Sequence, residues 1–198
     1  MTNARHWLME KSMPVTHFFG HLHAPFSHKL FTGDDYREFM FLAEPGDIVL
    51  THIRGEFSNL FIPGFWKHAS MFVNKYDGIF QAIGTGTEIT PPFDFLKSKD
   101  YVCLLRAEFC DKDTRLLAAN ASRMFIGYPY DYYFEPGSNA LYCSEAVLEC
   151  YRKATDKFSP FIRKDVFGVE SVLPQDYWLA KTKFKVIFVS RATRKENI

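Results

Sequence analysis

Two residues of this sequence, Cys143 and His68, are of the types that carry out nucleophilic catalysis together. A cysteine thiolate attacks a carbonyl carbon, and a base, most often histidine, takes the thiol proton. Cys143 lies where a loop gives way to a predicted helix, and the backbone N–H groups of a helix start favour a thiolate and can donate to an oxyanion. No histidine follows His68. Any cysteine–histidine pair must therefore have the histidine first in the chain.

Each of these residues also has a simpler interpretation. Cys143 continues an apolar stripe with Cys150, seven residues on, and a free cysteine is often a small buried hydrophobe. His68 begins a predicted strand whose same face carries Ser70 and Phe72, and a histidine there can be an ordinary core residue. Spacing alone does not decide between the two interpretations.

Four short motifs surround these residues in a fixed order. They are Gly46-Asp47-Ile48-Val49-Leu50, Ile62-Pro63-Gly64-Phe65-Trp66-Lys67-His68-Ala69, Gly127-Tyr128-Pro129-Tyr130-Asp131 and Tyr142-Cys143-Ser144-Glu145. Together they resemble the YiiX/YaeF-like permuted papain-like amidases, relatives of the NlpC-type cell-wall cysteine peptidases and of lecithin–retinol acyltransferase. The resemblance implies a circularly permuted papain-like fold of the α+β class, an antiparallel β-meander packed against helices.

The resemblance also implies a role for four residues. Cys143 matches the nucleophile, and His68 matches the histidine that activates it. Tyr130 matches a tyrosine that lines the site and helps to hold the oxyanion; taken alone, it is equally well explained as a packed aromatic residue. Gln81 matches the position of the polar residue, usually His or Glu in relatives, that orients the imidazole.

Gln81 departs from the family pattern, and Glu88 is the nearest carboxylate after it. We expect the hairpin register to place Gln81 opposite Ser70, diagonal to His68 and on the same face. The following strand is expected to carry Glu88 away. A glutamine oxygen can accept the imidazole N–H and fix its tautomer, but it lacks the full charge that stabilises an imidazolium. The strength of catalysis is therefore open at this point.

Apolar periodicity and turn signals predict the elements that position these residues. Strands are predicted at 48–53, 68–73, 78–83, 85–90, 101–109 and 184–189. Helices are predicted to begin at 32–35, at Asp111, at Ser138-Asn139 and at 173–176. The second helix is expected to bury Leu117, Ala121, Met124 and Phe125. The third is expected to bury Cys143, Ala146, Val147, Cys150 and Tyr151. All helices are expected on one side of the sheet.

Residues 1–30 are predicted to form a partly ordered arm, and residues 31–198 a single hydrolase domain. The arm holds five of the seven histidines, but His21 and His23 have no acidic or cysteine partner close by, so neither a metal nor another cofactor is expected. Asp131 and Glu145 are assigned structural roles, as a turn cap and as a favourable charge at a helix start.

Composition excludes several classes of function. A formal net charge of +1 argues against a nucleic-acid binder, which needs a basic face. There is no secretory signal after Met1 and no apolar run long enough to span a membrane, so a cytoplasmic protein is expected. The aromatic content of 17% fits an aromatic core or a groove for an acyl substrate.

The leading hypothesis is a cysteine peptidase or amidohydrolase that cleaves an amide bond through a thiol acyl-enzyme. A peptide or an amino-acid-derived amide is the expected partner, with a cell-wall fragment as one candidate. A lipid acyltransferase or thioesterase is the alternative that the aromatic content favours. A weakly active binding protein is the third, and Gln81 is its best support. The sequence predicts neither the exact substrate nor an oligomeric state.

Overall fold

The structure, a computed structural model, describes residues 28–56, 62–134, 139–156, 164–166 and 169–196, with the backbone alone for 164–166 and 169–170. Most of the predicted arm, residues 1–27, lies outside the described residues. The arm and the single domain at 31–198 both stay predictions.

Six strands of the described residues form one antiparallel sheet. These six strands are β1 (Ile48–His52), β2 (His68–Asn74), β3 (Gly78–Ile83), β4 (Gly86–Thr90), β5 (Tyr101–Ala107) and β8 (Phe184–Val189). Two further strands, β6 (Lys164–Val166) and β7 (Val169–Ser171), form a separate short hairpin. The hairpin pairs with itself, and the order across the large sheet is β4-β3-β2-β1-β5-β8. The predicted meander is confirmed from β1 to β4, whereas β5 returns to pair with the other edge of β1.

The described helices are α1 (Gly33–Leu42), α2 (Pro92–Leu96), α3 (Lys112–Ala121), α4 (Cys143–Ala154) and α5 (Pro174–Leu179), with 3-10 turns at Ser122–Phe125 and Thr193–Lys195. Helix α1 begins as predicted, because Thr32 and Asp35 cap it reciprocally. The Asp35 N–H donates to Thr32 Oγ1 at 3.2 Å, and the Thr32 N–H donates to Asp35 Oδ2 at 2.9 Å. Such a box satisfies two N–H groups that a helix start leaves free.

Helices cover both faces of the sheet, so the prediction that they lie on one side is wrong. Helices α3 and α4 pack on the face that carries Leu50, Met71 and Phe80. Helices α1 and α2 pack on the opposite face, where the rings of Phe39 and Phe72 meet edge to face. Both faces of these strands are apolar and need cover from water, which one helical layer cannot give.

Helix α3 buries alanines rather than its large apolar residues. Ala118 and Ala119 are fully buried, whereas Leu117 is 57% exposed and Met124 is 63% exposed. Small side chains allow α3 and α4 to approach closely, because the distance between helix axes depends on the side chains at the contact. The predicted buried face is therefore wrong at Leu117 and Met124.

Helix α4 begins at Cys143, later than the predicted start at Ser138-Asn139, of which Ser138 lies outside the described residues. Tyr142 is the N-cap residue and gives no side-chain cap. Its hydroxyl instead accepts from the Val172 N–H at 3.1 Å. The late start puts Cys143 in the first turn, among backbone N–H groups without helical partners. The predicted stripe is buried throughout: Cys143, Ala146, Val147, Cys150 and Tyr151.

Candidate active site

The Cys143 side chain lies between the start of α4 and the start of β2. Its thiol receives a hydrogen bond from the backbone N–H of Ala69, the residue after His68. Its Sγ is also 3.8 Å from the hydroxyl of Ser144. The fold thus brings the first turn of α4 against the strand residue that follows the predicted base.

Burial raises the pKa of the Cys143 thiol above its ordinary value of 9.0. Hydrogen bonds from the Ala69 backbone, the Ser144 hydroxyl and the helix start lower this pKa, but they offset the desolvation only in part. The helix start therefore favours the thiolate as predicted, but desolvation outweighs this effect and leaves a neutral thiol in the resting protein. A neutral thiol needs a base at the moment of attack.

His68 is half-buried at the first residue of β2, with its ring centroid 6.1 Å from that of Phe95. Burial, and to a smaller extent the nearby Lys99 ammonium, lower the pKa of His68 to about 3, although a hydrogen bond with Gln81 opposes the change. The imidazole is therefore neutral at physiological pH. A neutral ring is the form that can accept a proton.

Gln81 lies on the same face of the sheet as His68, as the sequence predicted. Met71 pairs with Phe80 across β2 and β3, and Gln81 is the next residue along β3. The side chains meet there: Gln81 Oε1 is 3.2 Å from His68 Nε2.

This contact defines which ring nitrogen of His68 is basic. An amide oxygen only accepts, so Nε2 carries the ring proton and Nδ1 keeps its lone pair. Among the contacts of the described residues no hydrogen bond joins His68 directly to Cys143. Catalytic hydrogen bonds of free enzymes are often long and tighten only when substrate binds.

Glu88 lies beside Gln81, and the prediction that the next strand carries it away is wrong. The two residues are directly paired across β3 and β4. Gln81 Nε2 is 3.2 Å from Glu88 Oε1 and 2.8 Å from Thr90 Oγ1. Sequence reasoning missed Thr90, although residues two apart on a strand share a face and the spacing of 88 and 90 is a signal for it.

Tyr130 lies near the thiol. Burial raises the pKa of its phenol well above the ordinary value, and the next largest cause is the neighbouring Cys143. A backbone bridge to Leu141 and a ring contact with Tyr132, at a centroid distance of 4.9 Å, hold it in place. A neutral phenol is a hydrogen-bond donor at physiological pH, which is what a residue that holds an oxyanion must be.

A buried carboxyl group lies in the first turn of α4, two residues after the thiol. Burial raises the pKa of Glu145 to about 8, and the neighbouring carboxylates of Asp131 and Glu149 raise it as well. The predicted role for Glu145, a favourable charge at a helix start, is therefore outweighed by desolvation. Its side chain still accepts from the Tyr142 backbone N–H.

Gln175, which the sequence did not indicate, supports the segment before His68. Its Oε1 accepts from the backbone N–H groups of Phe65 at 3.0 Å and Trp66 at 3.1 Å. Gly64 has a φ of +92°, and a Cβ there would lie 2.7 Å from the Gln175 Cβ. The contact joins residues more than a hundred positions apart, so no local pattern could have revealed it.

In the part of the chain that the structure describes, no group of three or more His, Cys, Asp or Glu side chains is arranged to hold a metal ion. None of the helices in those ranges is long and apolar enough to cross a membrane. His21 and His23 lie outside the described residues.

Comparison with known proteins defines the class. The family described as permuted papain-like amidase enzymes, YaeF/YiiX, C92 family, matches residues 42–187. The chain therefore belongs to this family, and the predicted circularly permuted papain-like fold is confirmed.

One solved structure extends this result. The chain is similar to the crystal structure of the metalloprotein YiiX from Escherichia coli O157:H7, with a TM-score of 0.62 and 19% sequence identity, over 74% of this chain and 97% of that one. At this identity the similarity supports the fold alone. The described residues do not offer a ligand set for a metal. No curated protein matches the chain significantly in sequence.

Proposed function

We propose that this protein is a cysteine hydrolase that cleaves an amide bond through an acyl-enzyme on Cys143. The observation that carries the proposal is the position of the thiol at the start of α4, against the backbone N–H of Ala69, the residue that follows His68. Membership of an amidase family supports the class of reaction. The proposed substrate is a peptide or an amino-acid-derived amide, and a cytoplasmic setting belongs to the same proposal because reduced thiols persist there.

In the proposed mechanism, His68 Nδ1 takes the Cys143 proton while the sulfur attacks the amide carbon. The C–N bond then breaks, and the imidazolium returns the proton to the leaving amine. His68 next takes a proton from water, which attacks the thioester. The carbon–sulfur bond then breaks, the acid is released, and the imidazolium returns its proton to the Cys143 sulfur. Backbone N–H groups at the start of α4 and the Tyr130 hydroxyl are the donors available to the oxyanion, and Gln81 holds the ring.

Alkylation by iodoacetamide tests the pair without knowledge of the substrate. We expect Cys143 to be labelled first and His68→Ala to slow its labelling at neutral pH. Cys103 and Cys150 are internal controls, because both are buried and burial raises both pKa values. Equal labelling of all four cysteines, or labelling indifferent to His68→Ala, would contradict the proposal.

A matched pair of substrate series tests the reaction. Each acyl group is presented as an amide and as a thioester, to the wild type and to Cys143→Ala. Release of amine that is lost in Cys143→Ala supports the amidase. Turnover confined to long-chain thioesters supports an acyltransferase or thioesterase. Turnover of neither series by a protein that still labels at Cys143 supports a binding protein.

A further inference from the structure

We infer that Glu88 and Thr90 are positioning residues, which act through the Gln81 amide to select the tautomer of His68. The inference rests on the proposed function, because it concerns the base of that reaction. It goes beyond the family pattern, in which a single residue orients the histidine.

The three side chains form a closed set of hydrogen bonds on one face of β3 and β4. Gln81 Nε2 donates to Thr90 Oγ1 at 2.8 Å and to Glu88 Oε1 at 3.2 Å. The Thr90 hydroxyl donates its own proton to Glu88 Oε1 at 2.7 Å. Both N–H groups of the amide are thereby used, and its oxygen is left for His68 alone.

The opposite orientation of the Gln81 amide is unfavourable. It would put the amide oxygen against the Glu88 carboxylate, 3.2 Å away, with no proton between two acceptors. Thr90 has one hydroxyl proton and cannot bridge both oxygens. Buried acceptors left without donors are costly, and Gln81 is only 7% exposed. Glu88 and Thr90 therefore determine that the amide oxygen faces the imidazole.

The consequence reaches the reacting atoms. With the amide oxygen at His68 Nε2, the neutral ring must be protonated there, and Nδ1 is the nitrogen that can take the Cys143 proton. When the imidazolium forms, the Glu88 charge acts on it through one polarised amide, since linked hydrogen bonds strengthen one another. A glutamine at position 81 thus keeps part of what a carboxylate would supply.

The register of the edge strand β4 holds this arrangement. Gln81 is directly opposite Glu88, and the turn between the strands ends at Gly86, which has a φ of +118° and whose Cβ would lie 2.6 Å from the Tyr128 carbonyl oxygen. Only glycine accepts both constraints. The same turn therefore positions both the hydrogen-bonded side chains of Gln81, Glu88 and Thr90 and the backbone that leads to Tyr130.

The experiment measures tautomer and reactivity together. Nitrogen-15 NMR of histidine-labelled protein reports which ring nitrogen of His68 carries the proton, and alkylation reports the Cys143 rate. Thr90→Val removes the hydroxyl at nearly constant shape, Thr90→Ser keeps it, and Glu88→Gln removes the charge. Glu38→Gln is the matched control, because Glu38 forms an ion pair with Arg194 and lies far from Gln81. It is on α1, which packs near the opposite edge of the sheet.

We expect the Nε2-protonated ring in the wild type, in Thr90→Ser and in Glu38→Gln. Thr90→Val and Glu88→Gln should give a mixture of tautomers and about tenfold slower alkylation. That loss is smaller than the roughly 10⁴-fold effect of a wrong tautomer in a serine protease, because Gln81 remains. If Glu88→Gln fails to fold, the comparison of Thr90→Val with Thr90→Ser decides.

A ring protonated at Nδ1 in the wild type would overturn the inference, and so would an unchanged tautomer and rate in Thr90→Val. The proposed function fails separately. If Cys143 is inert in the wild type while the tautomer still responds to Thr90→Val, the positioning role stands and the hydrolase proposal is lost.

Discussion

The Cys143 thiol accepts a hydrogen bond from the backbone N–H of Ala69, the residue that follows His68. Burial favours the neutral form of both side chains, because it raises the pKa of Cys143 and lowers that of His68. It disfavours the thiolate of Cys143 and the imidazolium of His68 alike. The resting pair is therefore a neutral thiol and a neutral imidazole, unlike papain, whose paired cysteine is a thiolate at rest.

The pH profile of Cys143 alkylation tests this neutral pair. The pKa of His68 is lowered to about 3 and that of Cys143 is raised above 9.0, so the thiolate fraction falls about tenfold for each pH unit below the thiol pKa. We expect the iodoacetamide rate to keep rising to beyond pH 9 as the thiolate fraction grows, with a smaller component near neutral pH that the neutral imidazole supplies as a base and that His68→Ala removes. A rate that is already high and constant in the acidic range would show an ion pair and contradict this expectation. Mass spectrometry of the Cys143 peptide measures the rate.

Local patterns predicted much of this site, and pairing between strands decided the rest. The hairpin of β2 and β3 was predictable because its turn and its alternating apolar residues are local, and this placed Gln81 beside His68. The position of Glu88 was not predictable, because the register of β3 with β4 depends on the turn at Gly86 and on its contact with Tyr128. A strand assignment without a register does not say which side chains meet.

Long-range burial also explains the errors in the helices. The sequence favoured Leu117 as a buried residue on size, but α3 packs through alanines against α4. The start of α4 at Cys143 could not be read from cap residues, because Tyr142 gives no side-chain cap and is held by the Val172 N–H. Tertiary contacts outweighed local preference at each of these positions.

Replacement of Glu145 by Gln should stabilise the protein at alkaline pH. The pKa of Glu145 is raised from 4.5 to about 8 in the folded state, so its contribution to stability is full below pH 4.5 and is lost as the pH rises through about 8. At about pH 9 the wild type must bury a charge that Gln lacks, at a cost of a few kcal/mol, and each kcal/mol shifts the Tm by about 2–4 °C.

Thermal unfolding at about pH 5 and about pH 9 measures the effect. We expect Glu145→Gln to match the wild type at the lower pH and to exceed it at the higher one. Glu38→Gln is the control, and its difference from the wild type should not grow with pH. An equal Tm difference at both pH values would show that the Glu145 carboxyl is not neutral in the folded protein at low pH.

Loss of the Gln175 side chain should reduce both stability and activity. In Gln175→Ala, the N–H groups of Phe65 and Trp66 lose their acceptor, which costs about 1–3 kcal/mol. The segment that leads to His68 is then less well held. Because this segment positions the proposed base, the rate of Cys143 alkylation should fall. Gln175→Glu keeps the acceptor oxygen and should retain both properties. Chemical unfolding and alkylation of the three proteins measure this, and equal behaviour of the Ala and Glu variants would refute it.

Replacement of Gln81 by Glu should fail as an improvement unless Glu88 is changed as well. The single substitution places two carboxylates about as close as the present Gln81–Glu88 contact of 3.2 Å, so they repel or share a proton. In the double variant Gln81→Glu/Glu88→Gln, the amide at position 88 donates to the new carboxylate, which then faces His68. We expect the double variant to raise the pKa of His68 from about 3 by roughly one to three pH units.

NMR titration of His68 and the alkylation rate of Cys143 separate the variants. Alkylation of Cys143 should be about tenfold faster in the double variant than in the single one, because in the double variant the carboxylate at position 81 stabilises the imidazolium without a second carboxylate beside it. A single variant that equals or exceeds the double variant in rate would show that Glu88 does not act on His68 through position 81. A pKa of His68 that stays near 3 in the double variant would show that the carboxylate does not reach the ring.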